Sequence, residues 1–168
     1  MAVFRSRWVP LFCAGVEIRN LGGFSFMSEE MKARTARVVL VEDHPMFREQ
    51  LGIMLVDSGE FTICGEADNI ADAMSIIRLT NPDIAIVDVN LRGSSGLELI
   101  RKLKAEDLDP PVLILSMHDE GLYAESALRA GARGYISKHE AGSTLIEAIR
   151  KVISGEIYPG VQTGHSGS

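Results

Sequence analysis

Residues 82–88 read Pro-Asp-Ile-Ala-Ile-Val-Asp, a run that is apolar between two acidic residues. Residues 111–115, Pro-Val-Leu-Ile-Leu, have the same apolar character. Such continuous runs are typical of strands covered on both faces, as in a parallel sheet with helices on either side. We therefore predict two central strands of a parallel sheet, at residues 83–87 and 111–115.

Three further strands are predicted at residues 37–41, 61–64 and 134–137, where β-branched and aromatic residues cluster. Helix start or stop signals follow each of the five strands. In chain order these signals are Pro45, Asp68-Asn69, Ser94-Ser95, the stretch 119–130 before Gly131, and the stretch from Ser143 to Gly155. Strands that alternate with helices predict an α/β fold, here a doubly wound five-stranded parallel sheet with helices on both faces.

The composition limits the class of protein. The 168 residues suffice for one domain with flanking segments, and no apolar run is long enough to span a bilayer. A net charge of −6 without a basic block argues against direct nucleic-acid binding by this chain. Cys13 and Cys64 form no redox or metal motif, which favours free thiols in a reducing compartment. We expect a cytoplasmic protein that binds neither membranes nor nucleic acids directly.

Three segments are predicted along the chain. Residues 1–35 form an N-terminal extension without clear periodicity, which we expect to be disordered. Its apolar stretch Trp8–Val16 only loosely resembles a signal peptide, and we hypothesise that Met27 or Met31 is the native start. Residues 36–158 form the domain. Residues 159–168 form a tail or the start of a linker, so we expect that any output domain is missing from this chain.

Polar side chains follow four of the predicted strands. Glu42 and Asp43 come after the first strand, Asp88 ends the third, Ser116 follows the fourth, and Lys138 follows the fifth. The carboxyl ends of parallel strands meet at one edge of the sheet, where ligands bind in open α/β folds. Three carboxylates at one edge would repel one another unless a cation lies among them. Oxygen ligands suit Mg²⁺, or Mn²⁺, so this edge is a candidate metal site.

The same edge could carry out phosphoryl chemistry. An aspartate carboxylate is a competent nucleophile toward phosphorus, which makes Asp88 a candidate phosphoacceptor. Lys138 could supply a cation to a phosphoryl oxygen, and the Ser116 hydroxyl could supply a hydrogen bond. Each residue also has a structural alternative. Asp43 could cap the first helix, Asp88 could be a turn residue, and Lys138 could be a solvated lysine.

Four motifs together resemble the receiver domain of two-component response regulators over residues 36–158. These motifs are Val41-Glu-Asp-His-Pro45, Pro82-Asp-Ile-Ala-Ile-Val-Asp88, Leu115-Ser116 and Gly134-Tyr-Ile-Ser-Lys138. The stretches 131–138 and 155–158 are most similar to the NarL/FixJ subfamily, whose members usually carry a LuxR-type helix-turn-helix domain. The resemblance implies the flavodoxin-like strand order 2-1-3-4-5.

The resemblance also implies roles for individual residues. Asp88 would accept phosphate from a sensor histidine kinase. Asp43, Asp88 and the backbone carbonyl of Asn90 would ligate Mg²⁺, with Glu42 acting through a metal-bound water. Lys138 would match the lysine of the family pattern, which many receivers follow with proline where this chain has His139.

The remaining roles concern switching. Ser116 would follow the phosphoryl group inward, and Tyr135 would be the aromatic rotamer switch, although an aromatic residue in a strand usually just packs. The output surface would be the fourth helix, fifth strand and fifth helix, with a phosphorylation-dependent homodimer or a transcription-regulating output domain as its target. Such a phosphoacceptor is not a turnover enzyme.

Two alternatives remain open on sequence grounds. A free-standing receiver would act only through protein–protein interactions. An aspartyl-phosphate phosphatase of the haloacid-dehalogenase type would place a DxD motif after its first strand, whereas this chain has Asp88-Val-Asn90 after the third.

Overall fold

The computed structural model describes residues 34–117 and 121–160. Five strands form one parallel sheet: β1 (Ala36–Val41), β2 (Phe61–Ala67), β3 (Ile84–Asp88), β6 (Val112–Ser116) and β7 (Gly134–Ser137). Two short strands, β4 (Asn90–Leu91) and β5 (Ser94–Ser95), form a separate antiparallel hairpin. The order across the sheet is β2-β1-β3-β6-β7. Among the five strands of the sheet this is the predicted order 2-1-3-4-5.

Five helices connect the strands: α1 (Pro45–Asp57), α2 (Ile70–Thr80), α3 (Gly96–Ala105), α4 (Gly121–Ala130) and α5 (Ala141–Ile153). Alternate residues of β1 contribute to two hydrophobic cores, one on each face of the sheet. Val39 and Val41 lie in a core with buried residues of α2, α3 and α4. Val38 and Leu40 lie in a core with buried residues of α1 and α5. Helices therefore cover both faces, which confirms the predicted fold class.

Several boundaries differ from those predicted. β2 continues past Cys64 to Ala67 because a register shift opposite Val38 and Val39 lets Gly65 pair with β1. β3 begins one residue later than predicted, and the Asp83 carboxylate just before it accepts a hydrogen bond from the Arg37 backbone N–H at 2.7 Å. β6 likewise spans residues 112–116, and α5 begins at residue 141. These shifts of one to three residues leave the predicted topology intact.

The predicted helix signals are found in the structure. The Asn69 side chain caps α2 by accepting the Asp72 N–H at 2.9 Å, and the Ser95 hydroxyl caps α3 by accepting the Leu97 N–H at 3.2 Å. Gly131, at φ 114°, ends α4. The alternative that Asp43 caps α1 is wrong, because the N-cap residue is His44.

Some of the predictions fall outside the described residues. They concern residues 1–33 of the N-terminal extension, residues 119–120 at the start of the fourth helix, and residues 161–168 of the tail. Within the part that is described, no helix combines the length and apolar character that a bilayer span requires. All peptide bonds in this part are trans, including the one between Lys138 and His139.

Gly96 brings α3 into close contact with the end of β3. A Cβ atom at this position would lie 2.3 Å from the Asp88 backbone oxygen and 2.9 Å from Val87 Cγ1. The Asp88 backbone cannot move away from this Cβ atom without disturbing the sheet. Gly96→Ala is therefore expected to lower the free energy of unfolding by about 1–3 kcal/mol. Urea denaturation measures this change. Gly142→Ala in α5 is the matched control, because its Cβ would meet no atom within 4 Å. Equal stabilities of the two variants would contradict the assigned contact.

Candidate functional site

The sheet brings the four predicted strand ends together. β3 pairs with β1 on one side and β6 on the other, and β6 pairs with β7. Glu42 and Asp43 therefore lie beside Asp88, while Ser116 and Lys138 approach from the other side. All five are buried or nearly so. The predicted candidate residues thus share one edge of the sheet.

Lys138 is enclosed by the site. Its Nζ lies 2.8 Å from Asp88 Oδ2 and 2.7 Å from Glu42 Oε2, and its side chain is only 5% exposed. The Phe47 ring of α1 also contacts this ammonium group, with 4.7 Å between Nζ and the ring centroid. The Lys138 backbone N–H donates to the Ser116 carbonyl at 2.7 Å, which ties the residue to β6. The alternative of a solvated lysine is therefore wrong.

Asp88 is the last residue of β3 and is 2% exposed. Its Oδ1 accepts the Asn90 N–H at 3.1 Å, as a strand-end turn residue would, while its Oδ2 faces Lys138. Burial raises the pKa of the Asp88 carboxyl above its ordinary value, and the negative charge of Glu42 raises it further. The hydrogen bonds from Lys138 and Asn90 oppose this rise without cancelling it. The structure thus holds a poorly solvated carboxylate at the centre of the site.

The loop after β1 positions the other two carboxylates. Glu42 Oε1 accepts the His44 backbone N–H at 3.1 Å. The His44 Nδ1 atom lies 3.1 Å from Glu42 Oε1 and 3.0 Å from Asp43 Oδ1. Arg48 of α1 donates to the Glu42 backbone oxygen at 2.5 Å and so fixes this loop against the helix. On the outer side, Arg92 Nε lies 3.7 Å from Asp43 Oδ2.

The residues present fit a hard divalent cation. Glu42, Asp43, His44 and Asp88 each offer a ligand atom, and these atoms lie within 4.8 Å of one another. Glu42 Oε2 and Asp43 Oδ1 are buried and accept no hydrogen bond. Lys138 Nζ is close to Glu42 Oε2, but the pair lacks the alignment of a hydrogen bond. Buried oxygens without hydrogen bonds are what an oxygen-ligated cation such as Mg²⁺ would satisfy.

The two predicted switch residues are buried. Ser116 is fully buried, and it pairs with Ser137 of β7. Tyr135 is 3% exposed and lies in the core that includes Ala127 of α4. Tyr135 thus packs as an aromatic strand residue, and its switching role stays a prediction. The roles of Ser116 and of the Asn90 carbonyl likewise stay predictions.

Three residues near the site were not singled out from the sequence. His44 lies within the predicted motif, yet its contacts with both carboxylates depend on the ring orientation. Phe47 gives no sequence signal beyond its place near the start of the predicted first helix. Arg92 gives only a weak signal, the glycine at position 93 that follows it, because glycine is common in turns. Its turn places a cation four residues after Asp88.

Comparison with known proteins gives consistent matches. A sequence profile described as the response regulator receiver domain matches residues 38–150. A putative transcriptional regulator of Pseudomonas aeruginosa is 40% identical over 123 residues, which make up 73% of this chain and 59% of that regulator. This chain therefore spans less than two thirds of the regulator's length.

Solved structures agree with this match. A LuxR-family two-component response regulator from Aurantimonas sp. is similar with a TM-score of 0.72 and 32% identity, over 77% of this chain and 91% of that one. The signal receiver domain of the putative response regulator NarL from Mycobacterium tuberculosis has a TM-score of 0.69 and 33% identity, over 73% and 98% of the two chains. The similarity thus extends over nearly the whole of both solved chains.

Proposed function

Because this chain belongs to the response regulator receiver domain family of two-component systems and is related to transcriptional regulators, we propose that Asp88 accepts a phosphoryl group from a sensor histidine kinase. One observation carries this proposal. Asp88 is a buried carboxylate whose Oδ2 lies 2.8 Å from Lys138 Nζ, beside two further carboxylates. This arrangement supports a nucleophile with a fixed cation next to it.

Each residue of the site has a task in the transfer. The Asp88 carboxylate attacks phosphorus, and an in-line displacement transfers the phosphoryl group from the kinase histidine to its oxygen. Lys138, held between Asp88 and Glu42, remains beside the new phosphoryl oxygens and balances their charge. The Ser116 hydroxyl donates a hydrogen bond to one of these oxygens.

A divalent cation completes the proposal. Asp43, Asp88 and the Asn90 backbone carbonyl would hold Mg²⁺, or Mn²⁺, and Glu42 would act through a metal-bound water. When bound, the ion would neutralise the charge that the carboxylates and the phosphoryl group bring together. The buried Asp43 Oδ1, which accepts no hydrogen bond, and the ligand atoms of Glu42, Asp43 and Asp88 within 4.8 Å of one another support this assignment.

Phosphorylation is proposed to switch a surface. Ser116 moves toward the phosphoryl group, Tyr135 reorients in the space beside it, and the equilibrium between two conformations of α4, β7 and α5 shifts. The target of this surface would be a DNA-binding output domain of a longer protein, or a second copy of the chain. The names of the relatives, which are transcriptional regulators longer than this chain, support the first target. In this role the protein is a cytoplasmic switch that accepts one phosphoryl group and does not turn over a substrate.

Phosphate uptake tests the proposal. The wild-type protein is incubated with acetyl phosphate and Mg²⁺, and its intact mass is measured against a sample with EDTA. We expect one phosphoryl group per chain, only with the metal, and borohydride reduction followed by peptide mapping should locate it at Asp88. Absence of a mass increase, or modification of another residue, would refute the assignment. Repeated turnover of a small phosphate ester would instead indicate the phosphatase alternative.

A further inference from the structure

The charges at the site leave a problem for an approaching phosphodonor. Glu42, Asp43 and Asp88 supply three carboxylates, and Lys138, the cation among them, is buried and engaged by two of these carboxylates. A phosphodonor is itself an anion, and it must approach through the solvent-facing side of this cluster. An exposed cation at the rim would favour the approach.

Arg92 is placed at that rim. Its Nε lies 3.7 Å from Asp43 Oδ2, while its side chain is 81% exposed. We infer that Arg92 is a donor-binding residue, whose guanidinium captures the anionic phosphodonor and holds phosphoryl oxygens at the mouth of the site. This inference rests on the proposed phosphoacceptor function and adds the residue that recognises the donor.

The β4–β5 hairpin fixes the backbone of Arg92 at this place. Leu91 pairs with Ser94, so Arg92 and Gly93 are the two residues of a tight turn. Gly93 has φ 72°, which a glycine adopts without the strain that another residue would suffer. The hairpin follows Asp88 closely, and the Val89 carbonyl accepts the Gly96 N–H at 2.9 Å to close it. The turn therefore holds Arg92 next to the phosphoacceptor while its side chain extends into solvent.

A purely structural ion pair is a poorer account of Arg92. An exposed guanidinium at 3.7 Å from its partner adds little to stability, because water screens the pair. The guanidinium is instead well suited to phosphate, since its planar N–H groups bind two oxygens at once. Asp43 would also be a metal ligand, so Arg92 and the cation compete for it. Loss of Arg92 should then weaken donor binding but not metal binding.

Arg92→Gln tests the inference. The rate of Asp88 phosphorylation is measured against acetyl phosphate concentration at saturating Mg²⁺. We expect the half-saturating donor concentration to rise roughly five- to tenfold, with a maximal rate within about twofold of wild type. Arg92→Lys should recover part of the loss. Arg78→Gln is the matched control, because Arg78 is an exposed arginine in the last turn of α2 that pairs with Glu106 at the end of α3.

Metal affinity gives a second readout. Mn²⁺ binding without donor, measured by calorimetry, should be unchanged or tighter in Arg92→Gln. If the half-saturating donor concentration matched that of Arg78→Gln, or if Mn²⁺ bound more weakly, Arg92 would not be a donor-binding residue.

Donor capture can be separated from phosphoryl transfer. In Asp88→Asn, acetyl phosphate with Mg²⁺ should shift the ¹⁵N–¹H signal of Arg92 Nε and leave that of Arg78 unchanged. A shift without any phosphorylation of wild type would support capture by Arg92 and refute the phosphoacceptor role. Phosphorylation of wild type without a shift of the Arg92 signal would support the phosphoacceptor role of Asp88 and refute donor capture by Arg92.

Discussion

Asp88→Asn is expected to abolish phosphate uptake and, at the same time, to stabilise the metal-free protein. Asparagine has no carboxylate to attack phosphorus, so the loss should be complete within the limit of detection. The gain in stability follows from burial. Asp88 keeps a charge in a place where water cannot solvate it, and its amide isostere removes that cost. Stabilising single substitutions commonly yield about 0.5–2 kcal/mol, and a gain in this range is expected for Asp88→Asn.

The gain in stability of Asp88→Asn over wild type should increase as the pH rises. The pKa of Asp88 is raised in the folded state, mainly by burial. Between its ordinary value and the raised one, the folded protein binds more protons than the unfolded chain, so stability falls as the pH rises. Below the ordinary value, the protonated Asp88 carries no such cost. The stability difference between Asp88→Asn and wild type should therefore be small in acid and grow to a plateau toward neutral pH.

Urea denaturation with EDTA at several pH values measures this difference, and intact mass after acetyl phosphate treatment measures the chemistry. Asp57→Asn provides a control, because Asp57 is an exposed aspartate at the end of α1. A variant that is less stable than wild type at neutral pH would show that the hydrogen bonds of Asp88 outweigh its burial. Residual phosphorylation of Asp88→Asn would show that another residue accepts phosphate.

Lys138→Met is expected to have the largest effect on stability. Methionine keeps an apolar stem of similar length but leaves Asp88 and Glu42 buried without their cation. Removal of one partner from a buried ion pair costs about 3–5 kcal/mol. The pKa of Asp88 would rise further, since the lowering contribution of Lys138 is lost. The variant should accordingly regain stability as the pH falls. Phosphorylation should slow by roughly a hundredfold or more, as for loss of other fixed charge-stabilising groups.

Chemical denaturation and phosphorylation kinetics test both effects. Lys102→Met is the matched control, because Lys102 forms an exposed pair with Glu98 on α3 and should change stability by about 0.5 kcal/mol or less. The double variant Lys138→Met with Glu42→Gln should recover part of the stability without recovering the rate. If Lys138→Met were as stable as Lys102→Met, Lys138 would not be needed to balance the buried charges of Asp88 and Glu42.

The fold and the central residues of the site were predictable because both follow from patterns along the sequence, namely the apolar runs of the strands and the polar residues at their ends. The apolar runs within residues 83–87 and 111–115 are typical of strands buried between two layers of helices, as in a parallel sheet. Parallel strands place their carboxyl ends at one edge of the sheet. The strand pattern alone therefore predicted that Asp88 and Lys138 lie close together, before the orientation of either side chain was known. The continuation of β2 past Cys64 was missed, because pairing with β1 overrides the weak strand preference of Gly65.

The finer contacts depend on three-dimensional placement that no local pattern encodes. The sequence predicted Lys138 as a ligand for a phosphoryl oxygen, whereas the structure adds that Glu42 and the Phe47 ring enclose it. The β4–β5 hairpin is only two residues long on each side, too short for an alternation pattern. No prediction for Arg92 therefore followed from the sequence.

The segment after α5 returns to the sheet. Tyr158 forms a bridge with Gly134, its carbonyl accepts the Tyr135 N–H at 2.8 Å, and its N–H donates to the Arg133 carbonyl at 2.9 Å. β7 is an outer strand, and the outer strands of a sheet can recruit strands of other molecules into aggregates. Tyr158 occupies part of this edge, so its hydrogen bonds with Arg133 and Tyr135 leave fewer backbone groups beside β7 open to another strand. The residues just beyond the last helix thus shorten the stretch of sheet edge that another chain could extend.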